Sequence, residues 1–196
     1  MHDLRDYLRK NYAENVTVEF SHVKDEDEEL WLHQNYERYM NDPEVSTVTS
    51  DEKVKALQLL LRAEQMEHFL QKRFATHKRY SGEGSEALLV ALNGLIAEAS
   101  KADEGFQGVD SVVLGMPHRG RLATLVVLND YPMRNLLYKV AGNCDIPEEL
   151  VDRVDDIPTH IAVSNTKKFS QSTGSNKSAN KKVTLTMIHN PSHLES

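Results

Sequence analysis

The tetrapeptide His118-Arg119-Gly120-Arg121 has the residue types of an anion site. It follows an apolar run at 110–116 and precedes an apolar stretch at 122–128, an order that predicts strand, turn and helix. α/β proteins bind ligands in the crevice where a strand passes to a helix. Two guanidiniums, an imidazole and free helix N–H groups there would suit a phosphate or a carboxylate. The alternative interpretation pairs both arginines with acidic residues of the chain.

A second polar turn, at 190–193, follows another strand-like segment at 183–189. We interpret His193 there as a positioned donor or general acid/base, because imidazole titrates near neutral pH. His189 and His193 have the spacing of metal ligands on a helix, but Pro191 disfavours a helix. We therefore predict no metal site, and we interpret the single Cys144 as an incidental thiol.

The segment 82–87 formally matches the dinucleotide fingerprint G-x-G-x-x-A. That fingerprint requires a preceding strand, and here a long predicted helix and Lys78-Arg79-Tyr80 precede the glycines. We interpret the glycines as a close backbone approach at a helix start, with Arg79 beside it.

The order of the predicted helices and strands that position these residues is typical of an α/β protein. A capping box at 49–52 and a strand at 16–20 accompany apolar residues with helical spacing at 4–12, 32–40, 59–70 and 88–99. In the first of these helices the predicted buried stripe is Leu4, Leu8 and Tyr12, and in the last the predicted buried side is Leu88, Leu92, Leu95 and Ala99. The segment 164–182 has 17 polar or glycine residues out of 19, which predicts a mobile loop. Only two parallel strands are predicted, so we expect the strand from Val183 to lack a packed partner.

Composition excludes several classes of protein. The chain has 196 residues and a net charge of −7, whereas nucleic-acid binders are usually basic. One cysteine excludes an internal disulfide. No apolar run approaches the ~18 residues of a membrane span, and residues 1–6 resemble neither a signal nor a transit peptide. We predict neither a nucleic-acid partner nor a membrane partner.

Three segments in order carry a family resemblance: 78–84, 115–122 and 190–195. From about residue 16 to 196, the chain resembles the thiamin-diphosphate-dependent decarboxylase component of the 2-oxoglutarate dehydrogenase complex. It looks closer to the 2-oxoadipate dehydrogenase paralogue, because Tyr80 stands where the 2-oxoglutarate enzymes usually have phenylalanine.

The resemblance implies a helical N-terminal region at 1–75 and, at 76–196, the truncated start of a parallel-sheet thiamin-diphosphate domain. It implies oxidative decarboxylation of a 2-oxo dicarboxylic acid and transfer of the acyl group to a lipoyl-bearing acyltransferase. It also implies a homodimer at full length, in the mitochondrial matrix of a eukaryote or the cytoplasm of a bacterium. The corresponding pathways are the tricarboxylic acid cycle and lysine degradation.

The same resemblance assigns residue roles. Arg79 and His193 match cofactor-binding residues, and the substrate-binding set is Tyr80, His118, His160 and Ser164. His118, His160 and His193 are the implied catalytic residues. Ala123 and the segment 155–157 depart from the family pattern.

The family's magnesium-binding Gly-Asp-Gly motif is absent from the sequence. We therefore expect an N-terminal piece of such an enzyme that is inactive alone. The alternatives are a non-catalytic docking module and an unrelated anion-binding module.

Overall fold

The computed structural model describes residues 2–14, 16–46, 48–102, 105–143, 158–171 and 179–192. These residues form two compact units, 1–53 and 54–196. The predicted domain boundary at residue 75 stays a prediction. No helix within the described ranges is long and apolar enough to cross a membrane.

The first unit contains three helices: α1 (His2–Tyr12), α2 (Glu26–Asn41) and α3 (Pro43–Ser46). The acidic run begins α2, where the Asp25 carboxylate accepts a hydrogen bond from Glu28 N at 2.9 Å. The strand predicted at 16–20 is wrong, because the residues described there form no strand. The Phe20 ring packs instead against His33, with ring centroids 4.8 Å apart.

Polar contacts join α1 to α2. The hydroxyls of Tyr7 and Tyr12 donate to the Glu37 carboxylate at 2.7 and 2.5 Å. These hydrogen bonds lower the pKa of Glu37, and burial with the same contact raises the pKa of Tyr12 to about 12. Leu4 and Leu8, in contrast, are 63% and 47% exposed, so of the predicted stripe Leu4, Leu8 and Tyr12 it is Tyr12 that contacts α2.

The contact between α1 and α2 is expected to weaken in acid. Because the folded state lowers the pKa of Glu37, its stabilisation is present above the unfolded pKa near 4.5 and is lost as pH falls through the folded value. Amide exchange in α1 between pH 7 and pH 3 measures this effect. Glu37→Gln is the control, and it should show a smaller acid dependence; equal dependence in the two proteins would contradict the assignment.

The long helix α4 (Ser50–Arg73) begins with the predicted capping box. Thr49 N donates to the Glu52 carboxylate at 2.8 Å, and Glu52 N donates back to Thr49 Oγ1 at 3.3 Å. The buried residues of α4 are Leu59, Met66 and Leu70.

The next helix, α5 (Ala87–Ala99), buries a face that overlaps only in part with the predicted one. Leu89 and Ile96 are buried, whereas Leu95 is 65% exposed. Leu88 and Leu92 are half-buried. The prediction of a helix is confirmed, and the assignment of Leu95 to its buried side is wrong.

The sheet of the second unit has three strands, β1 (Ser111–Leu114), β2 (Val163–Gln171) and β3 (Ala179–Met187), in the order β1-β3-β2. β1 and β3 are parallel, as predicted, with Leu114 opposite Met187. β2 pairs antiparallel to β3, with Val163 opposite Met187. The structure is therefore α/β, but its sheet is mixed, whereas the sequence analysis expected a parallel one.

The mobile loop predicted at 164–182 is wrong over residues 164–171 and 179–182, because these belong to the hairpin of β2 and β3; residues 172–178 lie outside the described residues. The polar side chains find partners: Lys167 Nζ donates to Leu128 O at 3.0 Å, and Asn165 Nδ2 donates to Asn129 O at 2.7 Å. The ladder satisfies the backbone groups, so a polar composition did not prevent strand formation.

After β1, every residue from Arg121 to Asn129 is buried. This segment forms α6 (Arg121–Ala123) and a π-helical turn (Thr124–Leu128), and α7 (Met133–Val140) follows. The core also includes Val183 and Leu185, which are 0% and 1% exposed. The expectation that the strand from Val183 has no packed partner is therefore wrong.

Candidate functional site

One edge of the sheet collects three histidines. The carboxyl ends of β1 and β3 meet the amino end of β2 there, because β2 runs antiparallel to β3. His118 follows β1, His189 follows β3, and His160 precedes β2. The structure thus places two predicted site residues, His118 and His160, at the same edge. His193 lies outside the described residues.

Tyr80 lies beside His118, with ring centroids 5.7 Å apart and ring planes inclined by 32°. Its backbone has φ +50°, a left-handed conformation that side chains with a Cβ adopt at a cost. The Tyr80 carbonyl accepts a hydrogen bond from Gly120 N at 2.8 Å. The chain before α5 therefore crosses the 118–120 turn and holds the tyrosine against the histidine.

The predicted close backbone approach at the glycines is confirmed. A Cβ on Gly82 would lie 3.7 Å from the Gly120 Cα atom. Glu67 fixes this segment, because its carboxylate accepts hydrogen bonds from Gly82 N at 2.8 Å and from the Ser81 hydroxyl. Glu86 accepts a hydrogen bond from Gly84 N at 2.8 Å, and backbone hydrogen bonds lower its pKa. Glu67 lies 15 residues from Gly82 in sequence, so no local pattern indicates this contact.

The predicted convergence of two arginines on an anion is wrong for Arg121. Its side chain is completely buried, and it donates to the carbonyls of Met116, Ile161 and Ile188 at 2.7, 2.9 and 2.7 Å. Burial also lowers the pKa of Arg121. Arg119 is exposed and donates to the Glu83 carbonyl.

A cavity of about 560 Å³ lies beside the glycine segment. Arg79 lines it and forms no hydrogen bond or ion pair with another described residue. Its lining also includes four carboxylates, those of Glu64, Glu67, Glu83 and Glu86.

One guanidinium among four carboxylates does not make a site for a diphosphate, which carries several negative charges. The described residues include no group of three or more histidine, cysteine, aspartate or glutamate side chains that could hold a metal ion. These residues therefore do not fit a complete magnesium–thiamin diphosphate site by themselves.

Hydrogen bonds connect the chain segments at the ends of the three strands. His189 Nδ1 donates to the His160 carbonyl at 2.7 Å, which places a proton on that nitrogen. Asn190 Nδ2 donates to Pro117 O at 2.6 Å and thereby joins the turns after β3 and β1. The Ser164 hydroxyl shares a hydrogen bond of 2.8 Å with Thr186 Oγ1 on the hairpin.

The chain is similar to known proteins over nearly its whole length. No protein-family model matches it. It is 35% identical over 189 residues to a probable 2-oxoadipate dehydrogenase complex component E1 homolog of Dictyostelium discoideum. It is also 33% identical over 193 residues to a 2-oxoglutarate dehydrogenase E1 component of Haemophilus influenzae. The chain belongs to this E1 family.

The human 2-oxoadipate dehydrogenase complex component E1 is a further E1 relative, 30% identical over 189 residues. The matches cover 96–98% of this chain but only 18–19% of each relative. The chain therefore spans about one fifth of the length of the curated relatives it matches. The resemblance found in the sequence is confirmed at the level of the family.

Proposed function

We propose that the edge carrying Tyr80, His118 and His160 is the substrate-binding part of a 2-oxo-acid dehydrogenase E1 component. The observation that carries the proposal is the contact between the Tyr80 and His118 rings at the end of a strand, in a chain related to E1 proteins. The substrate class is a 2-oxo dicarboxylic acid, 2-oxoadipate or 2-oxoglutarate. The reaction is oxidative decarboxylation followed by acyl transfer to a lipoyl-bearing partner.

The substrate carboxylate is bound by side-chain donors that are not already bonded to the protein. Arg119 and Arg121 donate to backbone carbonyls, whereas the side chains of Arg79 and His118 form no hydrogen bond with any described residue. An imidazole and a guanidinium are both good donors to a carboxylate. His118 therefore binds and orients the acid, and Arg79 adds a positive charge at the neighbouring cavity. His160 is the second histidine proposed to contact the acid. Ser164 is the proposed further contact.

Thiamin diphosphate would supply the electron sink for decarboxylation in a full-length E1 protein. Arg79 and His193 are the residues proposed to contribute to its site, which the described residues do not complete. The full-length protein is further proposed to be a homodimer. Its proposed location is the mitochondrial matrix in a eukaryote or the cytoplasm in a bacterium.

The test is a segment exchange. In the human 2-oxoadipate E1 relative, the 189 aligned residues are replaced by those of this chain. We expect the exchanged protein to consume a 2-oxo acid with an artificial electron acceptor and to acylate a lipoyl domain. The matched control carries His118→Ala and should lose most of the activity. A folded exchanged protein that consumes neither 2-oxo acid would overturn the proposal.

The isolated chain is expected not to bind Mg²⁺–thiamin diphosphate with micromolar affinity. The reason is the excess of carboxylates around Arg79, together with the absence of a metal-holding group from the described residues. Isothermal calorimetry with and without Mg²⁺ measures this binding. Magnesium-dependent micromolar binding would contradict the prediction, and equal metal-independent binding of inorganic phosphate would favour the anion-binding alternative.

A further inference from the structure

Arg121 connects three separate parts of the chain through neutral acceptors. One of its Nη atoms donates to Met116 O at 2.7 Å. The other donates to Ile161 O at 2.9 Å and to Ile188 O at 2.7 Å. The acceptors lie 5, 40 and 67 residues away in sequence, and the arginine side chain is completely buried. A buried guanidinium is strongly unfavourable unless its donors are satisfied, so the three carbonyls are held close to it.

Each acceptor is adjacent or nearly adjacent to a histidine of the sheet edge. Met116 lies two residues before His118, Ile161 directly follows His160, and Ile188 directly precedes His189. The guanidinium thus holds the backbone next to all three imidazoles at once. Its planar, rigid arrangement of N–H donors can serve several diverging carbonyls, which one ammonium group serves less well.

We propose that Arg121 is a positioning residue that sets the relative placement of His118, His160 and His189. The inference rests on the proposed function only in treating this edge of the sheet as a substrate site. The placement of the three histidines by Arg121 is a property of the fold. It also assigns the arginine a role different from the anion ligand that the sequence suggested.

The experiment uses the complete 196-residue chain with Arg121→Ala, and ring resonances of the assigned histidines are followed by NMR. We expect the signals of all three histidines to move by more than a line width. Methylguanidinium should return them towards the wild-type positions, while sodium chloride at the same ionic strength should not. The matched control is Arg119→Ala, which removes an exposed guanidinium from the same turn and should leave His160 and His189 in place.

A second variant separates charge from geometry. Arg121→Lys keeps the positive charge but not the planar set of donors, so the three histidine signals should remain displaced. Wild-type histidine positions in Arg121→Lys, or in a folded Arg121→Ala protein, would overturn the proposal.

If neither variant folds, a hydrogen-exchange measurement on the wild-type chain tests the proposal. The Arg121 Nη hydrogens should then exchange with water about tenfold or more slowly than those of Arg119, because three carbonyls hold them away from solvent. Equal exchange rates would overturn the proposal. These measurements need no enzymatic turnover, so an inactive segment-exchange protein would leave their outcome unchanged.

Discussion

Replacing Gly108 by alanine is expected to destabilise the second unit by about 2–5 kcal/mol, the sum of a left-handed backbone and a steric clash. Gly108 has φ +71°, and an added Cβ would lie 2.3 Å from Ser100 O and 2.7 Å from Lys101 O. Both neighbours are backbone atoms at the end of α5, where Val109 N donates to Ala99 O at 2.8 Å. The clash therefore cannot be relieved by moving a side chain.

Gly105→Ala is the matched control for this prediction. Gly105 also has a positive φ, +82°, but an added Cβ would meet no atom of the described residues within 4 Å. Only the backbone cost remains, about 1–2 kcal/mol. Urea unfolding of the two variants measures the difference in the free energy of unfolding. Equal losses of stability in the two variants would show that the close approach at Gly108 is not present in solution.

Local patterns predicted the starts of helices well. The capping box at Thr49 and the acids after Asp25 depend on residues three or four positions apart, so the sequence contains all the necessary information. The buried face of α5 was harder to predict, because apolar residues surround that helix. Periodicity then cannot identify the side that packs, and tertiary contacts decide.

The hairpin of β2 and β3 shows why composition alone was misleading. Because its residues are polar, the sequence predicted that burial of apolar surface could not offset the conformational entropy lost when this segment becomes ordered. In the structure, Lys167 and Asn165 donate to carbonyls of the buried segment that ends at Asn129. Such partners lie 36 and 39 residues away, and a local sequence pattern gives no sign of them.

The candidate site was predicted in part. The order strand, turn and helix placed His118 at the edge of the sheet, and the motif order associated it with Tyr80. The role of Arg121 was predicted wrongly. An arginine in a turn is equally compatible with binding an anion and with donating hydrogen bonds to buried backbone carbonyls. Only the positions of the three carbonyls distinguish these roles, and they come from distant segments.

Tyr80→Phe is expected to lower activity with 2-oxoadipate relative to 2-oxoglutarate in the segment-exchanged E1 protein. The Tyr80 hydroxyl has no hydrogen bond with the described residues, and its ring lies against that of His118. The hydroxyl is therefore available to a longer substrate whose distal carboxylate needs a donor. A hydrogen bond of this kind contributes about 0.5–1.5 kcal/mol, which corresponds to a change of about 2–10-fold in the ratio of specificity constants.

His118→Ala is expected to act differently, because in the proposed site both substrates present the imidazole with the same groups. Loss of a proton donor or acceptor in the reaction typically lowers the rate by about 10²–10⁴-fold, and we expect kcat/KM to fall in that range for both acids. The ratio of the two constants should then stay close to that of the unsubstituted protein. Measuring both acids with one enzyme preparation removes errors in the active concentration. An unchanged ratio in Tyr80→Phe together with a strongly altered ratio in His118→Ala would mean that the histidine, and not the tyrosine, selects substrate length.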